Sequence, residues 1–213
     1  MTDNMIRLEI LNTARIGQLL KAAKARPFAA GEYGYQTVRV GSTVFKGQRD
    51  CAARAKLLLP FLHDLNIVDL GCNVGGMLHA LANTVRSGVG VDSNAKAVNA
   101  ATAIAEANGN DHLSFYTFDL DRDPLDMLSW LVGPGHSVDA YLVLAIAKWV
   151  SRWREIVEWC ACSAPKIVFE TNGRDQAGQI RFVERMYSVE VLSERSDDDP
   201  GQRNRKLLYG VRR

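Results

Sequence analysis

From residue 67 onward, apolar runs of strand length alternate with stretches in which apolar residues recur at helical spacing. The runs fall at 67–70, 88–91, 113–118, 140–146, 166–170, 189–192 and 206–211, which predicts seven strands. Between them, Ala97, Ala101, Ile104 and Ala105 share one helical face, as do Trp149, Trp153, Ile156, Val157 and Cys160, and then Ile180, Val183 and Tyr187. Such alternation predicts an α/β fold, a mainly parallel sheet with helices on both faces. The last two runs have no helical pattern between them, only the polar segment 193–205 with Asp197-Asp198-Asp199-Pro200-Gly201, so they should close the sheet as an antiparallel hairpin.

Ahead of this core the pattern is shorter and less regular. Ile16, Leu19, Leu20 and Ala23 predict one short amphipathic helix, which the segment 27–34 breaks. Residues 35–45 alternate as a strand pair around Gly41-Ser42, and 49–62 reads as a helix leading into the first core strand. The chain therefore divides into an extension, 1–66, and a core, 67–213. The extension is expected to act as a lid or a specificity element.

The first core strand runs into the most informative stretch of the chain, Ile67-Val68-Asp69-Leu70-Gly71-Cys72-Asn73-Val74-Gly75-Gly76. A turn rich in glycine lets a ligand approach the main chain, and a helix start beyond it offers N–H groups. Asp92 ends the next strand, where a carboxylate suits the two hydroxyls of a ribose. A dinucleotide fingerprint would want glycine at 71, 73 and 76, but position 73 is Asn, so the turn is less suited to a diphosphate.

Asp69-Leu70-Gly71-Cys72-Asn73-Val74-Gly75, with Asp92 after it, resembles the first two motifs of the Rossmann-like, class I S-adenosylmethionine-dependent methyltransferases. Their cofactor has a ribose and an adenine but no phosphate. The resemblance implies a seven-stranded sheet with an antiparallel C-terminal hairpin, S-adenosyl-L-methionine as cofactor and S-adenosyl-L-homocysteine as product. It implies that Gly71, Cys72, Asn73 and Gly75 wrap the methionine part and that Asp92 binds the ribose. Asp119 would face the adenine amino group or, alternatively, serve as a turn acid within 119–124. Asp69 either contacts the cofactor or ties the glycine turn. Ser93, Leu120 and Ala145 complete the candidate cofactor set.

Methyl transfer from a sulfonium needs an acceptor brought into line more than it needs a catalytic dyad. The acceptor is read from what surrounds the strand ends. Methyltransferases that act on amines of DNA or glutamine often place an Asn/Asp-Pro-Pro-Tyr-like tetrad after the fourth strand; here stands Ala147-Lys148-Trp149-Val150. Lys148 is a candidate for an anionic substrate, whereas Trp149 continues an apolar helical stripe and is read as core. Lys46, Gln48, Arg49 and Arg54 form a second cluster, in which Arg49 could make a bidentate bond to the cofactor carboxylate or a substrate acid. Lys148 and Arg49 are thus the catalytic candidates. Glu170, Asn172 and Arg174 follow the fifth strand, as pocket residues or with Thr171 or Asn172 as a helix cap. His79 is read as structural, and His63, His112 and His136 sit near element ends or loops without a partner at catalytic spacing.

The glycine turn with 147–150 is also similar, in part, to the RNA methylphosphate capping enzymes, which methylate a terminal phosphate of RNA. Their Tyr-rich, Arg-containing segment has a counterpart here, Phe45-Lys46-Gly47-Gln48-Arg49-Asp50, that keeps the basic groups without the tyrosines. The expected reaction is O-methylation of a small molecule or glycan precursor, and Lys148 and Arg49 would favour an anionic one. RNA is the alternative acceptor, and a non-catalytic cofactor-binding subunit the rival from another class.

Composition narrows this little. The 213 residues suit one α/β domain with an extension, and a net charge of +2 does not by itself call for nucleic acid or an acidic membrane surface. Cys51, Cys72, Cys160 and Cys162 show no CxxC spacing and read as reduced thiols of a cytoplasmic protein, with no metal site expected. No apolar run approaches membrane-spanning length, so no membrane partner is expected.

Overall fold

The computed structural model describes residues 3–24, 32–133, 137–196 and 203–213. The break at Pro27, His136 and the acidic turn 197–201 lie outside the described residues.

Helix α1 (Asp3–Ala23) leads to a small three-stranded sheet, β1 (Gln36–Val40), β2 (Thr43–Phe45) and β3 (Arg49–Asp50), and then to α2 (Ala52–Leu62). The core follows as β4 (Asn66–Leu70), α3 (Gly76–Leu81), β5 (Ser87–Asp92), α4 (Ala95–Ala107), β6 (Leu113–Thr117), α5 (Met127–Leu131), β7 (Ala140–Leu144), α6 (Trp153–Ser163), β8 (Lys166–Glu170), α7 (Gln176–Glu184), β9 (Tyr187–Ser193) and β10 (Leu207–Arg212). All seven core strands predicted from the apolar runs are present. They form one sheet in the order β6-β5-β4-β7-β8-β10-β9, parallel from β6 to β8, with β10 antiparallel to both β8 and β9. Every residue of β4 is buried. That is the continuous apolar signature of a strand covered on both faces.

Two packed layers flank the sheet. One joins Val68, Leu70, Tyr141, Val143, Ile167 and Phe169 to Trp153, Ile156, Val157 and Cys160 of α6. The other joins Ile67, Leu142 and Val168 to Leu58 and Leu62 of α2 and Leu78 of α3. Helix α1 lies on α4, where Ile16 and Leu20 meet the small side chains of Ala97, Ala100 and Ala103, and a residue as small as alanine is what lets two helices approach so closely.

Three local expectations are corrected. The amphipathic helix is not short but spans 21 residues, Asp3–Ala23. Arg49 and Asp50 belong to a strand paired with β1 rather than to a helix, and Asp50 Oδ1 instead accepts the Ala52 N–H at 3.0 Å as α2 begins. Tyr187 opens β9, fully buried, after α7 has ended at Glu184. All four cysteines are free thiols, three buried and Cys162 exposed. No described helix is long and apolar enough to cross a membrane.

His79 sits on α3 beneath the glycine turn, its ring 5.3 Å from that of Phe115. No hydrogen bond of normal geometry reaches either buried ring nitrogen, and burial pushes the imidazole down to about 4 against a weaker upward pull from the Val74 backbone. The folded protein thus holds His79 neutral while the unfolded chain takes up a proton near 6.5, so the unfolded state binds more protons between those values. Stability from this group is full above about pH 6.5 and lost as the pH falls toward 4, by about 3 kcal/mol at the lower end. Urea titrations across this range should show the loss, and His79→Leu should flatten it.

Candidate active site

The sheet reverses direction of growth at β4, with β5 and β6 built to one side and β7 and β8 to the other. Crevices for ligands open at the carboxyl ends of the strands at such a switch point. There lies a pocket of about 350 Å³, walled by strand ends and by residues of the N-terminal extension.

Its floor is the glycine turn. The N–H groups of Gly71 and Cys72 both donate to the Val91 carbonyl, at 2.8 and 2.9 Å, which ties the turn to β5. Asp92 then braces it from the other side: Oδ2 accepts the Asn73 N–H at 2.9 Å and Oδ1 the Asn94 N–H at 2.8 Å. Burial pushes the Asp92 carboxyl up, and those two backbone donors pull it back. Each oxygen keeps a second lone pair, so the carboxylate is aligned to accept from a pair of ligand hydroxyls.

Asp69 is 2% exposed and lines the same pocket. Burial raises its carboxyl to about 7, with the Arg54 charge drawing it down and Asp92 pushing it up. Asp119, Leu120, Ser93, Asn73, Gly71 and Ala145 also line the pocket. Asp119 Oδ1 accepts the Asp121 N–H at 2.9 Å, as a turn acid does, and the residue also lines the pocket. Ala145 adopts a left-handed φ of 59°, held by its N–H on the Glu170 carbonyl and by Asn172, whose Nδ2 donates to the Ala145 carbonyl. Asn172 Oδ1 takes the Lys148 N–H, and the cap of α7 is Asp175, not Thr171 or Asn172.

Two cofactor candidates do not line the pocket. Cys72 turns its side chain into the core, within 2.9 Å of where a Cβ on Gly90 would stand. Gly75, at φ 72°, faces Phe115: a Cβ there would come within 2.6 Å of its ring. Gly71 is different, since a Cβ on it would stand 2.8 Å from Cγ2 of the pocket residue Ile146. Gly75→Ala should therefore lower stability by more than the about 1–2 kcal/mol of the left-handed backbone, since the Phe115 ring must also shift, with a smaller effect on ligand affinity. Gly71→Ala should cost similar stability and also weaken the ligand, a contrast that thermal shift with and without S-adenosylhomocysteine reads directly.

The catalytic candidates are also relocated. Arg49 is 2% exposed and its planar fork is filled from within: Nη1 donates to Glu170 Oε2 at 3.1 Å and Nη2 to Oε1. Nη2 further donates to Ser196 Oγ at 2.5 Å and Nη1 to the Tyr35 hydroxyl at 3.3 Å. The bidentate partner is thus Glu170, 121 positions away, rather than a ligand, although Arg49 remains in the pocket wall. Lys148 is exposed and does not line the pocket; its ammonium stands 4.8 Å over the ring of Trp149. Lys46 and Arg174 are exposed outside it.

Trp149, read as core, is 50% exposed and borders the pocket, because α6 starts only at Trp153. The turn before it is held by Asp121, whose Oδ1 accepts the Ser151 N–H at 2.8 Å and the Ser151 hydroxyl at 2.6 Å. With Phe118, Leu120, Ile146 and Val150, Trp149 gives the β6–β7 side an apolar slot suited to a planar ring. Sequence reasoning also missed Gln36, whose Oε1 takes the Gly76 N–H at 2.9 Å and so occupies a donor at the start of α3 that had been reserved for a ligand. Tyr35 and Arg205 were missed as well. They meet at 3.1 Å, Arg205 Nη1 donating to the phenol oxygen, and neither carries a local sequence signal.

No protein-family model matches the chain. The 23S rRNA (uracil(1939)-C(5))-methyltransferase RlmD of Xanthomonas campestris pv. campestris (strain 8004) is 41% identical over 71 residues, 33% of this chain and 16% of that protein. RlmD of Xanthomonas axonopodis pv. citri (strain 306) is 39% identical over the same length. The chain thus spans 16% of the length of these curated relatives. Among solved structures, the N-terminal domain of EvdMO1, crystallised in the presence of SAH and D-fucose, superposes with a TM-score of 0.67 at 16% identity, over 94% of this chain and 97% of that one. WbdD, with the kinase inhibitor LY294002, gives 0.65 at 17% identity over 92% and 47%. A putative methyltransferase bound to the Haloferax volcanii Trm112 activator gives 0.60 at 19% identity over 77% and 90%. The fold is that of the Rossmann-like, class I methyltransferases.

Proposed function

We propose that the chain is an S-adenosylmethionine-dependent methyltransferase that methylates an oxygen of a small molecule or glycan precursor. The observation that carries this is the make-up of one pocket. Asp92 is aligned for a ribose diol, the slot of Leu120, Ile146 and Trp149 suits a purine, and between β4 and the extension Asp69 and Arg54 present one acid and one base to the zwitterion of a methionine moiety. A bare nucleotide would leave that last pair unused. The likeness to the N-terminal domain of EvdMO1, of which one structure was determined with SAH bound and another in the presence of SAH and D-fucose, supports this cofactor and a small-molecule acceptor. A pocket of about 350 Å³ open to an acceptor favours an enzyme over a cofactor-binding scaffold.

In the reaction so read, the cofactor supplies an activated methyl group, and the protein's task is alignment. Residues 1–66 then serve the site directly, since Tyr35, Gln36, Arg49 and Arg54 all reach the pocket wall. The likeness to RlmD over 71 residues supports the second reading, an RNA acceptor.

Calorimetry with S-adenosylhomocysteine tests the cofactor, and methyl transfer from labelled S-adenosylmethionine into a metabolite extract, against total RNA, tests the acceptor. The pH dependence adds a specific signature. Asp69 keeps its proton up to about pH 7, and an ammonium beside it would drive that proton off. Affinity for S-adenosylhomocysteine is expected to fall about tenfold per unit as the pH drops below 7, and to lose this slope in Asp69→Asn.

A further inference from the structure

We infer that Asn172, gripped in turn by Gln179, is a positioning residue for methyl transfer: its carboxamide holds the turn 145–148 in a strained shape, and that shape sets a wall of the cofactor pocket. The inference rests on the methyltransferase reading and adds to it two residues that stand outside the pocket.

The strain is what draws attention to the turn. Among the described residues, Asp64, Asn73 and Ala145 are the non-glycine residues with a left-handed φ, and the last two both line the pocket. Asn73 suits that region, since a short polar side chain can bond locally, but alanine has no such group and its Cβ crowds the carbonyl. A conformation of this kind persists only where its surroundings impose it. For Asn73 the surroundings are Asp92, whose Oδ2 takes its N–H at 2.9 Å. For Ala145 they are chiefly one side chain. Asn172 Nδ2 donates to the Ala145 carbonyl while Oδ1 accepts the Lys148 N–H at 3.0 Å, so both ends of the turn are fastened to a single carboxamide.

That fastening is itself held. Asn172 is fully buried; its N–H donates to Gln179 Oε1 at 3.0 Å, and its carbonyl accepts Gln179 Nε2 at 2.6 Å. Gln179 belongs to α7 and is 6% exposed. Each carboxamide spends its donor end and its acceptor end on backbone groups, and reversing either one would set donor against donor and acceptor against acceptor. The orientation of the pair is therefore fixed.

What the pair fixes is a boundary of the pocket. Ala145, Ile146 and Val150 line it, whereas Asn172 and Gln179 do not. Ile146 lies against the glycine turn, its Cγ2 2.8 Å from where a Cβ on Gly71 would stand. The two strained turns thus meet across the floor, one braced by Asp92 and the other by Asn172, and a shift of either changes the room between them. Methyl transfer is an in-line displacement in which alignment supplies much of the rate, so a wall displaced by about 1 Å is costly. Because position 145 is alanine rather than glycine, the turn does not keep this shape by itself. It depends on Asn172.

The test is calorimetry of the full chain with S-adenosylhomocysteine, with thermal unfolding of the same samples. Asn172→Ala should weaken the ligand about tenfold or more and lower the thermal midpoint. Ala145→Gly places at 145 a residue for which the left-handed region is free of strain, so in that background Asn172→Ala should cost no more than about threefold in affinity. The thermal loss should persist there, because the Ala145 carbonyl and the Lys148 N–H still lack their partner. A side chain that served the fold alone would lose affinity and midpoint together, with neither responding to residue 145. That result overturns the inference, as does affinity within about twofold of wild type in folded Asn172→Ala. Should Asn172→Ala not fold, Gln179→Met takes its place, since it loosens Asn172 and leaves its carboxamide present. A several-fold loss that Ala145→Gly removes then supports the inference, and unchanged affinity overturns it. Failure of the wild type to bind S-adenosylhomocysteine would remove the methyltransferase reading, and the inference with it, by an observation that involves no variant.

Discussion

Asp92→Ala is expected to weaken S-adenosylhomocysteine by about 100-fold or more while the sheet stays folded. A carboxylate accepting from two ribose hydroxyls contributes about 1.5–3 kcal/mol for each charge-assisted bond, and about 1.4 kcal/mol is a factor of ten. The structure adds a second loss. Asp92 also holds the Asn73 and Asn94 N–H groups, so its removal frees the far end of the glycine turn that forms the pocket floor. For the same reason Asp92→Asn should not rescue binding. One of its two positions becomes an NH₂ group facing a backbone N–H donor, and the turn must shift to avoid the clash of donors. Calorimetry on the two variants, with far-ultraviolet circular dichroism as the folding control, checks both statements; unchanged affinity in folded Asp92→Ala would take Asp92 out of the site.

The parts of this site that the sequence announced are those built by consecutive residues. Strands β4, β5 and β7 are buried on both faces, so their apolar runs stand out, and a turn such as Asp69–Gly75 must be written locally because its backbone angles are local. Asp92 followed from the same logic, one strand on. What stayed hidden depends on partners far apart in the chain. A guanidinium next to a cleft in sequence looks alike whether it waits for a ligand or, as with Arg49, is claimed by Glu170. Trp149 fits the stripe of α6 at helical spacing, yet the Asp121 bonds to Ser151 keep the preceding turn out of the helix and leave the indole at the pocket rim. Gln36, Tyr35 and Arg205 reach the site only because the extension and the segment before β10 fold back over the strand ends, and no periodicity encodes that. Gly75 is the converse case: the motif marks it correctly as a backbone requirement, but the space it keeps clear belongs to Phe115 rather than to a ligand.

Glu170→Gln is expected to cost about 3–5 kcal/mol of stability, the largest effect of any single change proposed for the fold. Glutamine keeps the size of the side chain and one acceptor oxygen, so the substitution removes charge more than shape. What it leaves behind is costly. Arg49 and Arg54, with side chains 2% and 9% exposed, stay ionised at any working pH and lose the carboxylate that holds both of them. A buried ion pair gives little net stability relative to apolar residues of the same volume, but half of one is strongly destabilising, because a desolvated charge then loses its main compensation. The two statements are separable in one experiment. Urea unfolding of Glu170→Gln, Arg49→Met and the double variant forms a cycle in which the double should be more stable than the sum of the single losses implies, by about 1 kcal/mol or more, since the second change removes a charge whose compensation the first has weakened. The slope of the unfolding curve should stay constant across the set, marking a change in the native state rather than in the unfolded chain. A loss below about 1 kcal/mol in Glu170→Gln, with no coupling to Arg49, would mean that water reaches these guanidinium groups and that the network does not hold the extension against the end of β8.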